Sequence, residues 1–503
     1  MSPFFFYPLR IITNILIIRN YGNYLLRREE KRQKTFLRLL CCMLQKDSHR
    51  LQRYSVNFFK QQTMEKRKSI SPLKVYSFPE QLHIESILGL YVIVSPLTAN
   101  WIVLENEEQL NFFKLLQTNN LETALKYFKG NQKNAHAVVI QIEAKQFEKK
   151  DVRPANYGGV MQFHLTNACN MRCPHCYMYA GKKKEKELTT EEIYKVINLF
   201  KESGGEQITF TGGEVCMRTD LLDIIKHTHS SGLNVEVLTN GTLWKEEDIK
   251  AVSPYLSRVQ ISIDGINEEE NSKIRGKDNF EKALNTVDTF LSYGVPTDIG
   301  ITPWFDKTLK NKIQGYATFG KELIEKYKDK PFGIRFTTSL LDGREIKFSS
   351  QEKQEYETIT ESIYKSCMGE DVLDLAFIDF HTHFLLENNC EFGNLTIESN
   401  GNVYFCPSLS MLPTSLNIRR NSFEEILSFS KEASRISCVD NLIPCRNCDL
   451  RYICGGGCRI QYFKDFQQEE AFKIVNHPRR KCTAEYKQSI YKQMIRTNEA
   501  LFQ

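Results

Sequence analysis

The chain is 503 residues long, 41% hydrophobic and 25% charged, a composition of ordinary globular protein with room for about two to four domains. Its formal charge of +6 is uneven: residues 1–63 hold twelve Lys/Arg against three Asp/Glu, a net of +9 that leaves −3 for the rest and excludes a globally basic nucleic-acid binder. Fifteen cysteines in so long a chain, with no secretory signal, exclude a small disulfide scaffold; ten of them fall at ligand-like spacings, which points to metal in a reducing cytosol.

Residues 1–70 read as a basic extension, disordered or an artefactual start before Met64. Its apolar run Ile11–Ile18 is shorter than the ~20 residues a membrane span needs and lacks a small-residue cleavage site; an amphipathic membrane-surface segment is the alternative. In 71–150, Tyr91–Ser95 and Asn100–Leu104 are expected strands around a Pro-Leu-Thr-Ala turn. Glu107–Leu116 and Leu121–Phe128 show helical spacing, and Ala137–Ile142 is read as a further strand. A hairpin followed by helices resembles the small winged-helix-like α+β domain fused to many peptide-modifying enzymes, in which a leader peptide pairs with an exposed strand edge. The resemblance implies that 71–150 binds a leader; a plain α+β cap is the alternative.

Residues 155–340 alternate strand and helix, the pattern of a parallel sheet. Expected strands are Val160–Leu165, Gln207–Phe210, Val235–Leu238, Val259–Ile263, Thr297–Ile301 and Gly333–Thr337. Expected helices are Thr190–Glu202, capped by Thr189 or Thr190 with Glu192 in a capping box, Asp220–Ser230 and Phe280–Tyr293. About six β/α units make a partial (β/α)6 barrel. The polar motifs sit at the C-terminal ends of strands, where barrel chemistry gathers.

The first of these motifs is Cys169-x3-Cys173-x2-Cys176. Three thiolates on one loop hold three corners of a 4Fe–4S cluster and leave one iron open; a structural zinc loop, which closes with four ligands, is the alternative. With Gly212-Gly213-Glu214 after the next strand, this segment resembles the radical S-adenosylmethionine enzymes. The resemblance implies that Cys169, Cys173 and Cys176 ligate the cluster, with S-adenosylmethionine on the open iron. It implies that Gly212, Gly213 and Glu214 bind the methionine amino group, Ser262 and Asp264 contact the ribose, and Arg275 lies near the methionyl carboxylate. Val215 and His175 depart from the family pattern without removing a ligand. Cys216 and Cys367 have no ligand spacing and read as buried small residues. No catalytic base is identified: Asp298, on a barrel strand, could face the cavity, but a carboxylate flanking a strand is more often simply solvated.

Residues 341–385 read as a bridging segment and 386–503 as a C-terminal cysteine-rich iron–sulfur domain. Cys390, Cys406, Cys445, Cys448, Cys454, Cys458 and Cys482 exceed one four-ligand site, and a zinc ribbon fits the C-x2-C pair. Their order resembles the SPASM auxiliary-cluster extension. That resemblance implies an inner cluster on Cys390, Cys406 and Cys458, with Cys367 or Cys438 as candidate fourth ligand or an open iron. It implies an outer cluster on Cys445, Cys448, Cys454 and Cys482. Gly455–Gly457 lets the chain wrap such a core, and Arg446, Arg451 and Arg459 add positive charge.

Together these resemblances imply S-adenosylmethionine, three 4Fe–4S clusters and a cytoplasmic peptide maturase whose 5′-deoxyadenosyl radical abstracts hydrogen from a ribosomally made precursor peptide, installing a crosslink or other oxidative change. A flavodoxin- or ferredoxin-type electron donor is the implied partner, with no nucleic acid and no membrane span. A sulfatase-activating, formylglycine-forming enzyme, an enzyme acting on a small molecule, and a zinc- or cluster-bearing binding protein are the alternatives.

Overall fold

The fold comes from a computed structural model, which describes residues 70–148, 153–154, 159–369, 385–386, 392–407, 414–457, 459 and 482–502. The basic extension, apart from Ile70, and the ligand candidates Cys390 and Cys458 lie outside the described residues.

The N-terminal unit opens with an antiparallel sheet, β1 (His83–Ile87), β2 (Leu90–Val94) and β3 (Trp101–Leu104), in that order. β1 was not expected; it is joined to β2 by Leu88 and Gly89, both at positive φ (55° and 81°), the turn whose twist suits a two-residue hairpin. Three helices follow, α1 (Glu107–Leu116), α2 (Leu121–Tyr127) and α3 (Gln132–Ala144), capped by Asn106, Asn120 and Asn131 side chains that accept backbone N–H bonds. The strand expected at Ala137–Ile142 is the middle of α3. Ala135, Val138, Val139 and Ile142 recur at helical spacing and are all buried, so the 3.6-residue period outweighs the β-branched content.

β2 and β3 are apolar on both faces of this sheet. Ile93, Ile102 and Leu104 pack against the three helices, whereas Val92, Val94, Trp101 and Val103 pack on Leu450, Ile453, Ile490 and Met494 near the C-terminus. Burial on both faces explains why β2 and β3 read as continuous apolar runs. The free edge of β3 is closed by side chains. Gln141 accepts from Val103 N–H at 3.0 Å and donates to Val103 C=O at 2.5 Å, and Gln109 accepts from Glu105 N–H at 2.9 Å.

After the short β4 (Arg153–Pro154) come six parallel strands: β5 (Val160–Thr166), β6 (Gln207–Gly212), β7 (Asn234–Thr239), β8 (Arg258–Ser262), β9 (Thr297–Ile301) and β10 (Phe332–Phe336). Between them run α4 (Thr190–Glu202), α5 (Leu221–Ser230), α6 (Glu246–Val252), α7 (Glu268–Arg275), α8 (Phe280–Ser292) and α9 (Ile313–Lys326). Thr189 is the cap of α4 and forms the capping box with Glu192. The architecture is the expected α/β partial (β/α)6 barrel. Alternation along each strand turns Met161, Phe163, Ile208, Phe210, Val235, Val237, Ile261 and Ile299 outward into one core under the helices. It turns Gln162, His164, Thr209, Glu236, Gln260 and Arg335 inward, so the lumen is polar.

α10 (Ser350–Met368) fills the bridging segment and packs on α9, with Cys367 buried against Gly320 in the barrel core. β11 (Leu385–Leu386) returns to pair with β4. β12 (Leu395–Ile397) then joins β5 in parallel and β13 (Val403–Tyr404) joins β12 antiparallel, so the C-terminal region extends the barrel's own sheet. α11 (Phe423–Ile436), the short α12 (Ile443–Arg446) and α13 (Arg451–Cys454), and α14 (Ala484–Phe502) complete the chain. Among the described residues no helix is long and apolar enough to cross a membrane.

Candidate functional site

The β5–β6 register shifts between His164 and Thr166, an irregularity of the kind that re-aims a strand end. The chain then enters the cysteine loop. Cys169 N–H donates to Gly181 C=O at 3.0 Å and Cys176 N–H to Cys173 C=O at 3.2 Å, folding the three cysteines into one turn. The Glu187 carboxylate clamps the loop's base, accepting from Asn167 N–H at 2.8 Å, Thr166 Oγ1 at 2.9 Å and Lys184 N–H at 3.1 Å. All three thiols are half-buried. Burial raises the Cys169 thiol and pushes Cys173 up to about 11; neighbouring thiols add to this and the Arg275 guanidinium opposes it at both. Metal loading here therefore displaces protons. Among the described residues no three His, Cys, Asp or Glu side chains converge on a single ion; a cubane offers each thiolate its own iron, so wider spacing is compatible with it.

Gly212-Gly213-Glu214 locks against this loop. Gly213 N–H donates to Thr166 C=O at 2.7 Å and Glu214 N–H to Ala168 C=O at 2.8 Å. A Cβ at Gly213 would meet the Ala168 carbonyl carbon at 2.6 Å, and Gly212, at φ 137°, faces Thr166 backbone. The glycines thus serve close contact between two backbones. Glu214, expected as an acceptor for a ligand ammonium, is fully buried, and its carboxylate accepts from Thr239 Oγ1 at 2.6 Å and Asn240 N–H at 2.8 Å. Burial raises its pKa. Thr239 and Asn240, at the end of β7, were missed as site residues; the only sequence signal was their strand-end position. Asn240 also donates to Asn170 Oδ1 at 2.9 Å inside the cysteine loop.

Ser262 lies partly exposed at the end of β8. Asp264 is fully buried; its Oδ1 accepts from Thr302 N–H at 3.0 Å and its Oδ2 stands 2.6 Å from Arg275 Nε and 3.5 Å from His175 Nε2. Asp264 therefore orients Arg275 toward the thiols. The ion pair is largely shielded, with 12% of the Arg275 side chain and none of Asp264 exposed. His175, whose pKa burial lowers, faces this pair instead of solvent. Asp298 is no free base: both Arg258 and Arg335 donate to its Oδ2, the latter at 2.9 Å.

In the C-terminal region Cys448 senses the Cys454 and Cys482 thiols, with Lys487 opposing its burial-driven rise, so three of the four expected outer ligands gather across the chain. Cys445 is buried beside Leu442 and Tyr452. Gly455, Gly456 and Gly457 all adopt positive φ, 64° to 74°, as a wrapped loop requires. Arg459 ties that loop down, donating to Ser437 C=O at 2.6 Å and Gly455 C=O at 3.0 Å. On the other side, Cys176 and Cys406 both raise Tyr177, pushed up by burial to about 12, so Cys406 comes near the first loop. Cys367 packs in the barrel core between α9 and α10, and Cys438 points its thiol at Asp440, 3.8 Å away.

Comparison with known proteins matches residues 163–309 to the Radical SAM superfamily and 389–449 to an iron-sulfur cluster-binding domain. The chain is similar to the Mycofactocin maturase MftC of Mycolicibacterium smegmatis, 24% identical over 60% of this chain and 78% of that one. It is also similar to the Sporulation killing factor maturation protein SkfB of Bacillus subtilis, 33% identical over 27% of this chain and 34% of that one. The chain thus spans only about a third of the latter's length. The crystal structure of Streptococcus suis SuiB bound to precursor peptide SuiA aligns at TM-score 0.46, 14% identical over 78% of this chain and 98% of that one.

Proposed function

We propose that this chain, a radical S-adenosylmethionine protein with a C-terminal iron–sulfur extension, is a peptide maturase that oxidatively modifies a ribosomally made precursor peptide. The observation that carries the reading is a trio of half-buried thiols at the end of β5, locked to the Gly-Gly-Glu turn and faced by a largely shielded Arg275 held by Asp264. The relatives named as a maturase and a maturation protein support the maturation reading.

When bound, a 4Fe–4S cluster with S-adenosylmethionine supplies one-electron cleavage to a 5′-deoxyadenosyl radical that takes hydrogen from an unactivated carbon. Cys169, Cys173 and Cys176 hold that cluster. Backbone groups of Gly212, Gly213 and Glu214 line the methionine amino group, with the Glu214 carboxylate keeping that turn in place through Thr239 and Asn240. Arg275, aimed by Asp264, faces the methionyl carboxylate. Ser262 borders the ribose. Cys390, Cys406 and Cys458 serve an inner auxiliary cluster, and Cys445, Cys448, Cys454 and Cys482 an outer one, giving three in all. Auxiliary clusters held there would supply one-electron acceptance, and a flavodoxin- or ferredoxin-type protein of the cytoplasm would be the electron donor. Residues 71–150 receive the leader.

Co-expression with a precursor peptide encoded beside this protein, followed by mass spectrometry, tests the reading. A mass loss confined to the peptide's core is expected. An unmodified peptide, from an enzyme that still cleaves S-adenosylmethionine to 5′-deoxyadenosine, would sink the peptide assignment.

A further inference from the structure

The barrel lumen holds a charged cluster to which the proposed chemistry gives no task. Asp298 on β9 receives both Arg258 from β8 and Arg335 from β10 on one oxygen, Oδ2. Two glycines make room for it: a Cβ at Gly333 would strike Asp298, and one at Gly300 would meet the Gln260 side-chain amide at 3.0 Å. The neighbouring Glu236 is half-buried, and that burial raises its pKa against the pull of both arginines. Two guanidiniums thus share one carboxylate in direct contact, with Arg258 and Asp298 almost withdrawn from solvent.

The two arginines differ in setting. Arg258 keeps 6% of its side chain exposed and Asp298 5%, but Arg335 keeps 34%. Buried Nε–H groups on Arg258 and Arg335 have no acceptor among the described residues. Arg335 stands two residues before Thr337, which accepts from Thr302 Oγ1 at 3.1 Å on the rim, so its backbone lies roughly 7 Å beneath the strand ends and its guanidinium reaches further down to Asp298, whose register partner is Gly333. On the inward side of the sheet Thr211, Gln260, Ser262 and Thr337 are all partly exposed, whereas Ile299, Ile334 and Phe336 on the outward side are buried.

We propose that Arg335 anchors a carboxylate of the substrate, an acidic side chain or a C-terminus, inside the barrel. Asp298 holds its guanidinium from one side and leaves the other edge free for a charge-assisted hydrogen bond. The inference rests on the peptide reading and adds that the segment entering the barrel is anionic.

The test uses full-length enzyme reconstituted with iron, sulfide and S-adenosylmethionine, titrated by ligand-observed NMR with three synthetic peptides: acetyl-Gly-Glu-Gly-amide, acetyl-Gly-Gln-Gly-amide and acetyl-Gly-Gln-Gly with a free C-terminus. At least one carboxylate peptide is expected to bind about tenfold tighter than the uncharged one, the low end for a hydrogen bond to a charged group. The arm that gains identifies the carboxylate's source. Arg335→Gln should abolish the preference with iron content unchanged. If that variant loses its fold, Arg335→Lys carries the test, because it keeps the charge but not the fork and should shrink the preference. Equal binding of all three peptides, no binding of any, or a preference untouched in the Arg335 variants overturns the proposal. None of these results touches the maturase reading, which falls only if the co-expressed precursor emerges unmodified.

Discussion

Replacing Gly213 by Ala should disable the cysteine loop from outside it. The new Cβ would stand 2.6 Å from the Ala168 carbonyl carbon and 2.8 Å from Asn167 O, against an ordinary contact near 3.5 Å. All of these are backbone atoms, so no side chain can swing away, and the two segments must part by about 1 Å. That opening loosens Gly213 N–H to Thr166 C=O and Glu214 N–H to Ala168 C=O. Overpacking together with two weakened buried bonds costs about 3 to 5 kcal/mol. The assay is iron and sulfide per chain and visible charge-transfer absorption after anaerobic reconstitution, with a melting curve alongside. Gly181→Ala is the control, since Gly181 lies in the same loop yet has nothing within 4 Å of its Cβ position. Gly213→Ala should load less iron and melt lower while Gly181→Ala matches the parent. Equal loading and melting in both would refute the reasoning.

Arg275→Met strands the fully buried Asp264 carboxylate and should cost about 3 to 5 kcal/mol, with Asp264→Asn in the same chain recovering part of the loss in a thermal melt. Gln141→Leu leaves the edge N–H and C=O of Val103 unmet and should cost about 2 to 4 kcal/mol, read as faster hydrogen exchange in β3 and α3. His164, held by burial and by Lys184 at about 3 against an ordinary 6.5, is neutral in the native state. Its stabilising effect is complete above pH 6.5 and lost as pH falls toward 3, amounting to about 1.4 kcal/mol by pH 5.5. His164→Gln should flatten that part of the pH–melting profile; an unchanged acid limb would count against a buried neutral imidazole.

Much of the barrel was legible because its strands are short, apolar on the outer face and followed by polar residues, and each of the six observed parallel strands ends within two residues of its expected span. α3 was misread because Val138, Val139 and Ile140 favour strand locally; only the buried spacing from Ala135 to Ile142 reveals the helix. The helices α6 and α7 are rich in charge and gave too little periodicity to stand out, whereas α9 was missed although Tyr316, Ala317, Gly320 and Leu323 recur at helical spacing and are all buried.

By itself the sequence determined the chemistry's ingredients: the three-cysteine loop, the Gly-Gly-Glu turn, the downstream cysteines and the order of strands that puts the polar motifs at one end. Local spacing suffices there, because ligands and turn residues lie within a few positions of one another. The tertiary structure alone decided that Glu214 turns inward to Thr239 and Asn240, that Asp264 aims Arg275, and that β12 joins the barrel sheet beside β5. It also decided that Asp298 is neutralised by two arginines from neighbouring strands. Each of these joins residues far apart in the chain, and burial of a charge is a property of everything packed around it.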